Sequence, residues 1–299
     1  MKTLENSASS IPEATSRRGV VVMLLSVLGF TANTLLIRYL SGVERGIGPE
    51  VPLLFRSLVG AFIVLAFFRG RRPTRVKPVF TNRMLVLRGI TGLLGTAAYY
   101  WTVPELGAGM ATLICNTYVI FASVIAVLAL GEKLTPMRFV WLALAFVGIV
   151  LLVGPNGDAD EFHFGLYEGI ALLGAITAAA SVVLIRRLVV DFSIGTIYLS
   201  QCVWIAIPLI FIAGPELRHL DWSDIGLLLL AATAASYGQL AMNEGYRCLS
   251  VSAGASIQML WPVATTTGGW LLFSESFLPA QIVGAILILA SVWRVSVKR

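Results

Sequence analysis

The sequence predicts an all-α integral membrane protein of ten transmembrane helices, built as two inverted five-helix repeats. Three observations point there. Hydrophobic residues make up 57% of the 299 and charged residues only 13%, about half the ~25% of an ordinary soluble domain. Mean hydropathy is +0.85. A soluble fold of this composition would lack polar residues to cover its surface, so its natural solvent is a bilayer. Second, ten apolar segments approach the ~20 residues that a membrane span requires. Third, the chain is similar to itself at an offset of 143 positions. This composition excludes a disordered chain, a nucleic-acid-binding domain and a typical soluble enzyme.

Taken in order, residues 1–18 form a polar tail rich in Ser, Thr and Glu, expected to be disordered and cytoplasmic. The spans fall at roughly 19–40, 50–68, 84–103, 108–130, 135–154, 166–187, 195–214, 224–246, 251–273 and 279–296. The first is too long for a signal h-region and is expected to be retained. Most spans are apolar all round, as lipid contact demands. Short connections make consecutive helices antiparallel neighbours. With the N-terminus inside, the cytoplasmic loops collect Arg17, Arg18, the cluster from Arg69 to Arg83, Lys133, Arg138, Arg186, Arg187, Arg247 and Arg294. Only Arg38, Arg45 and Arg218 fall outside, while Arg56 and Arg88 lie within spans. That bias places both termini in the cytoplasm of a multi-pass protein.

The offset of 143 pairs Gly95 with Gly238, Ala98 with Ala241, Ile114 with Ile257, Leu128 with Leu271, Glu132 with Glu275 and Pro136 with Pro279. No gap is needed between residues 95 and 152. The first repeat covers 19–154 and the second 166–296. An odd number of spans per repeat gives the halves opposite topology, an arrangement typical of secondary transporters with a site at the repeat interface.

Short motifs then carry a family resemblance: Leu54-Phe55-Arg56 in span 2, Leu87-Arg88-Gly89 opening span 3, Leu130-Gly131-Glu132-Lys133-Leu134 after span 4, Pro262 in span 9 and Phe273-Ser274-Glu275-Ser276-Phe277 after it. In their order and duplication the chain resembles the EamA-like family of the drug/metabolite transporter superfamily. The resemblance implies a ten-helix inner-membrane carrier working by alternating access, which usually moves amino acids or other small metabolites, often outward. It also implies a proline 13 residues before each junction glutamate. Pro262 meets this for Glu275, whereas Val119 occupies the position before Glu132. A kink is therefore expected in span 9, and span 4 lacks that cause.

Several residues are candidates for substrate binding. Arg56, inside span 2, suits a substrate carboxylate, or else a tie to carbonyls and headgroups. Tyr99, Asn116, Tyr118, Gln239, Asn243, Gln258 and Trp261 lie in spans 3, 4, 8 and 9. Buried amides need partners that a polar solute supplies, and aromatic walls stack planar or cationic groups. Interhelical hydrogen bonds and an interfacial belt are the structural alternatives. Asn33 and Trp204 are weaker candidates. Arg88, at the mouth of span 3, is expected to snorkel to the interface. Glu244 is a candidate proton-coupling carboxylate, although Arg247 three residues on favours a surface ion pair. Glu132 and Glu275, at helix junctions, are expected to cap the following helix or pair with a nearby cation. Small residues, including Gly89, Gly92, Gly95 and Ala178–Ala180, are expected to let helices approach closely.

Cys115, Cys202 and Cys248 form no metal-ligand spacing, and His163 and His219 lie far apart, so no metal or cofactor is expected. A membrane-embedded enzyme would need a nucleophile with a base or paired carboxylates, and no span holds them. A channel would show a charged ring or filter loop. The partners expected are lipid and a small-molecule substrate, with the chain a monomer or weak homodimer. An amino acid or derivative is the first substrate expected. A larger planar metabolite (a vitamin, a nucleoside-like or an S-adenosylmethionine-like compound), taken up rather than exported, is the second.

Overall fold

The structure, a computed structural model, describes residues 17–42, 45–67, 73–122, 125, 136–153, 165–249, 254, 257–258 and 260–297. The expectations for the tail before Arg17, for Arg69, Arg71 and Arg72, for the junction Leu130–Leu134 with Glu132 and for the loop 155–164 lie outside these residues. The described helices are α1 (Arg17–Leu40), α2 (Glu50–Ala66), α3 (Lys77–Thr81), α4 (Arg83–Asn116), α5 (Pro136–Val153), α6 (Leu166–Leu188), α7 (Ile194–Ala213), α8 (Trp222–Cys248), α9 (Leu260–Phe273) and α10 (Pro279–Val297). A 3₁₀ turn, Glu216–His219, joins α7 to α8. Among the described residues, five helical stretches are long and apolar enough to cross a bilayer. The outward faces of the helices are apolar, on these stretches and on α2 and α9 alike: Leu28, Phe62, Leu65, Trp270 and Leu272 are exposed, and Phe211 is 81% so. Aqueous solvent would not tolerate such a surface, whereas acyl chains match it.

Polar caps mark where helices begin. Asn82 accepts from the N–H groups of Met84 and Leu85 at the start of α4, and Ser193 accepts from Thr196 N–H at the start of α7. Asp221 and Asp224 form a reciprocal capping box on α8, and those hydrogen bonds hold the Asp221 carboxyl below its ordinary pKa. Pro136 and Pro279 open α5 and α10, where a missing N–H costs nothing.

The continuous helix assigned to α4 hides a reversal. In a straight helix, residues 99 and 112 would stand roughly 20 Å apart. Here the Tyr99 hydroxyl lies 2.9 Å from Thr112 Oγ1. The chain turns at Gly107, whose φ of 82° and ψ of 163° are non-helical, three residues after Pro104. This is the interval where the sequence puts the junction of its third and fourth spans. The second arm is interrupted in turn at Thr117. Its N–H and hydroxyl both donate to the Ile114 carbonyl, at 3.1 and 2.6 Å, and helix resumes at residue 118. Span 4 therefore breaks without a proline, by a three-residue tightening that a threonine side chain supports.

Packing follows a paired pattern. α1 lies along α8, and α4 along α6. α2 packs on α7 and also on α8, while α4 also packs on α7. α5 and α10 pair with each other and share a core cluster with α4 and α6. The closest approaches use small residues: a Cβ on Gly29 would stand 2.7 Å from the Ala234 carbonyl of α8. Such contacts replace the hydrophobic effect, which is absent between helices in lipid.

Candidate functional site

The helices enclose a central cavity that bounds about 750 Å³ of space unfilled by protein atoms, its mouth included. Residues of α1, α2, α4, α6, α7, α8 and α9 contribute to its wall. Arg56 reaches it from α2 and is 6% exposed. Its guanidinium donates to Gln239 Oε1 at 3.2 Å and to the Tyr100 hydroxyl at 3.4 Å. It also sits 6.0 Å from the centre of the Phe30 ring and 5.7 Å from that of Tyr100, within cation–π range. The partners are themselves held in place. Tyr100 donates to Asn33 Oδ1 at 3.0 Å, and Gln239 Nε2 donates to Asn243 Oδ1 at 3.2 Å. Among the described residues, the groups that bond this cation or stack against it are neutral, so its charge stays available to a ligand.

One wall is aromatic. Trp261 packs against Phe30 and Tyr99 with ring centroids 5.4 Å apart in both cases. Tyr99 is fixed by two hydroxyl contacts, to Thr34 at 2.6 Å and Thr112 at 2.9 Å. Tyr118 meets the Tyr246 hydroxyl at 3.3 Å, and Gln258 Nε2 donates to Ser26 Oγ at 2.9 Å. The buried indole N–H of Trp261 has no protein acceptor among the described residues. A donor left so in a low-dielectric wall is costly unless a solute or water meets it.

Of the residues singled out from sequence, Arg56, Tyr99, Tyr118, Gln239, Gln258 and Trp261 line this one cavity. Asn243 does not line it. It is fully buried behind Gln239 and orients that amide. Asn116 is also buried off the wall, on the turn before the Thr117 break, and its Oδ1 has no partner there. Pro262 is buried in the first turn of α9. Trp204 points elsewhere, donating to the Val79 carbonyl at 3.3 Å and packing on Gly89. Glu244 is outside the cavity, where it pairs with Arg18 at 3.2 Å and Arg247 at 2.5 Å. The surface ion pair is thus its observed role.

Arg88 corrects an expectation. It does not snorkel to the interface: it is 2% exposed, lines the cavity and donates to Gln201 Oε1 at 2.9 Å. Being only five residues past the helix start, it reads in sequence like an interfacial cation. Its direction depends on how α4 rotates against α7. Gln201 was not anticipated at all, since a lone glutamine in an apolar span carries no signal by itself. Glu275 caps the second arm of α4 and not the helix that follows it: Oε1 accepts from Ala108 N–H at 2.7 Å and Oε2 from Gly109 N–H at 3.0 Å. Arg38 Nε lies 3.3 Å from the same carboxylate.

A helical bundle of this kind, apolar outside and polar in a cavity between its helices, defines a multi-pass membrane protein. The profile of the EamA-like transporter family matches residues 17–154 and 166–297. The pseudopaline exporter CntI of Pseudomonas aeruginosa is 25% identical over 282 residues, covering 92% of this chain and 94% of its own. The S-adenosylmethionine uptake transporter of Rickettsia felis is 20% identical over 273 residues, covering 91% and 90%. A solved crystal structure sharing 15% identity has a TM-score of 0.62 over 92% of this chain and 94% of its own, which shows a common fold. The chain belongs to the EamA-like transporter family.

Proposed function

We propose that the protein is a secondary transporter that exports a small metabolite bearing a carboxylate, an amino acid or amino-acid derivative first, across the inner membrane. The observation that carries this is Arg56, buried in a central cavity and bonded to neutral groups alone among the described residues. A guanidinium in that setting favours a carboxylate through charge-assisted, bidentate hydrogen bonds. The relatives export pseudopaline or take up S-adenosylmethionine; the outward direction follows the first of these. The aromatic wall of Phe30, Tyr99 and Trp261 favours a second reading, a larger planar metabolite.

The mechanism proposed is alternating access between two inverted five-helix halves, 19–154 and 166–296, in a ten-helix chain with both termini cytoplasmic. The packing supports it. Exchanging the halves maps the α1–α8 contact onto α6–α4 and the α2–α8 contact onto α7–α4, and it maps α2–α7 and α5–α10 onto themselves. The cavity then lies on the axis between the halves, where a rocking motion exposes it to either side.

The test is flux in proteoliposomes with a panel of amino acids and derivatives. Gradient-driven or exchange flux of at least one is expected, and Arg56→Gln is expected to remove it with the fold retained. Absence of flux for every solute would refute the carrier reading. Thiol labelling from each side is expected to place Glu275 outside and Glu132 inside; the same side for both would refute the inversion.

A further inference from the structure

A second basic group lines the same cavity. Arg88 Nη2 is bound to Gln201 Oε1, but its Nε and Nη1 are buried without a protein acceptor among the described residues. Gln201 cannot turn to serve it further, because its own Nε2 donates to Thr96 Oγ1 at 2.9 Å. Gly92, one turn along α4, leaves the space that the guanidinium fills: a Cβ there would collide with Arg88 Nη1 and stand 2.9 Å from Gln201 Cγ. This is a prepared pocket for a cation whose donors are left unmet. An arginine held for structure alone would spend those donors on carbonyls or a carboxylate.

The charge balance sharpens the point. The ion pairs among the described residues join Arg18 and Arg247 to Glu244, Arg38 to Glu275 and Arg45 to Asp224, all at helix ends. Among the described residues lining the cavity there is no carboxylate, while Arg56 and Arg88 both line it. Two cations therefore face one space without a countercharge from the described residues.

We infer that Arg88 and Gln201 form a second anion subsite, so that the transported solute carries two carboxylates or equivalent acidic groups, one on Arg56 and one on Arg88. This rests on the carrier reading above and narrows its substrate class to dianionic metabolites. A net cation is disfavoured by the same two charges. The Gln201 amide oxygen holds Arg88 in place without neutralising it.

The experiment uses the full chain purified in detergent. Binding by calorimetry and thermal shift is measured for the α,ω-dicarboxylates from malonate to adipate, each beside its monoamide. Wild type is expected to bind one chain length of diacid roughly ten- to a hundredfold more tightly than the monoamide, the difference that one charge-assisted contact makes. Arg88→Gln is expected to erase that preference, and Arg88→Lys to keep part of it. Gln201→Glu guards against misfolding: it gives Arg88 a carboxylate within the protein, so it is expected to raise the melting temperature of the free protein and abolish the diacid preference. Equal binding of diacid and monoamide by wild type, no diacid binding, or a preference that survives Gln201→Glu would each overturn the inference. Flux of neutral amino acids alongside any of those results leaves the carrier standing; absence of all flux removes the reading beneath both.

Discussion

The contact most open to a quantitative test is the Glu275 carboxylate. Ser274, in the left-handed region at φ 54°, ends α9 and swings the chain so that Glu275 points back at the Gly107 turn. There one carboxylate caps the second arm of α4 through two N–H groups and meets Arg38 of α1. Its side chain is only 9% exposed, and that of Arg38 is 28%. Three elements that are distant in sequence are tied at one point. Removing it in Glu275→Ala orphans two amide donors of a helix N-terminus and leaves a half-buried guanidinium with only the Pro104 carbonyl. Loss of a cap costs about 1 kcal/mol, and each hydrogen bond to a charged group about 1.5–3 kcal/mol. These overlap, so the expected destabilisation is about 3 kcal/mol. Glu275→Gln keeps one acceptor and loses the charge, for about half that.

The assay is thermal unfolding of each variant in one detergent, read also as a half-life at fixed temperature because such unfolding is commonly irreversible. At roughly 2–4 °C per kcal/mol for a chain of this order of size, Glu275→Ala is expected to melt about 6–12 °C below wild type. Arg38→Ala should cost less, and the double mutant less than the sum, since the two share one contact. A Glu275→Ala protein that melts within about 1 °C of wild type would refute the reasoning, because a carboxylate with these partners cannot be idle.

Other outcomes follow from the same geometry. Gly107→Ala puts a side chain at φ 82° and a Cβ 2.7 Å from Glu275 Oε1, so it should destabilise the fold by melting-point measurement and add little when combined with Glu275→Ala. Glu244→Gln removes only an end-of-helix pair with exposed Arg18 and half-exposed Arg247, so it should shift stability by less than about 1 kcal/mol. The response of flux to a proton gradient should survive that change, which a paired comparison in proteoliposomes checks. The capping box on α8 depends on an Asp221 carboxylate whose folded pKa is lowered, so its contribution is fully present above the ordinary 3.8 and disappears as pH falls through the lower folded value. Protection of the first-turn amides of α8, taken as the exchange rate relative to the intrinsic rate at each pH, should fall only below that ordinary value, and a loss of protection at higher pH would contradict the assignment.

How legible the protein is in its sequence depends on the range of the physics involved. The membrane class and the helical stretches are local properties: a bilayer demands apolar residues all round, and Asn82, Ser193 and Asp221 stand where caps belong. The turn near Gly107 is equally local, for a proline and a glycine bracket it. Arg56 is readable because it is embedded in an apolar run with no nearby residue to neutralise it. Arg88 is not, since a cation close to a helix start can lie along the interface or turn inward, and only a partner on another helix decides. That partner, Gln201, lies 113 residues away. Asn116 is buried off the cavity wall although its neighbour Cys115 lines it, a difference of helix face that an all-round apolar span does not announce.

The half-exchange pattern of contacts explains why the polar groups meet where they do. If α1–α8 and α4–α6 are equivalent pairs, then α2 and α7 cross near the axis between the halves. Arg56 comes from α2 and Gln201 from α7. In the proposed inversion these two helices exchange, which would make their inward residues face the axis from opposite halves. The acceptor on one half then holds Arg88 of the other half's first arm, as Gln239 of α8 holds Arg56 of α2. Each arginine is thus steadied across the proposed repeat boundary by a neutral amide. A rocking motion that separates the halves must stretch both contacts, whereas a dianion bound to both arginines, which belong to the same proposed half, would travel with that half.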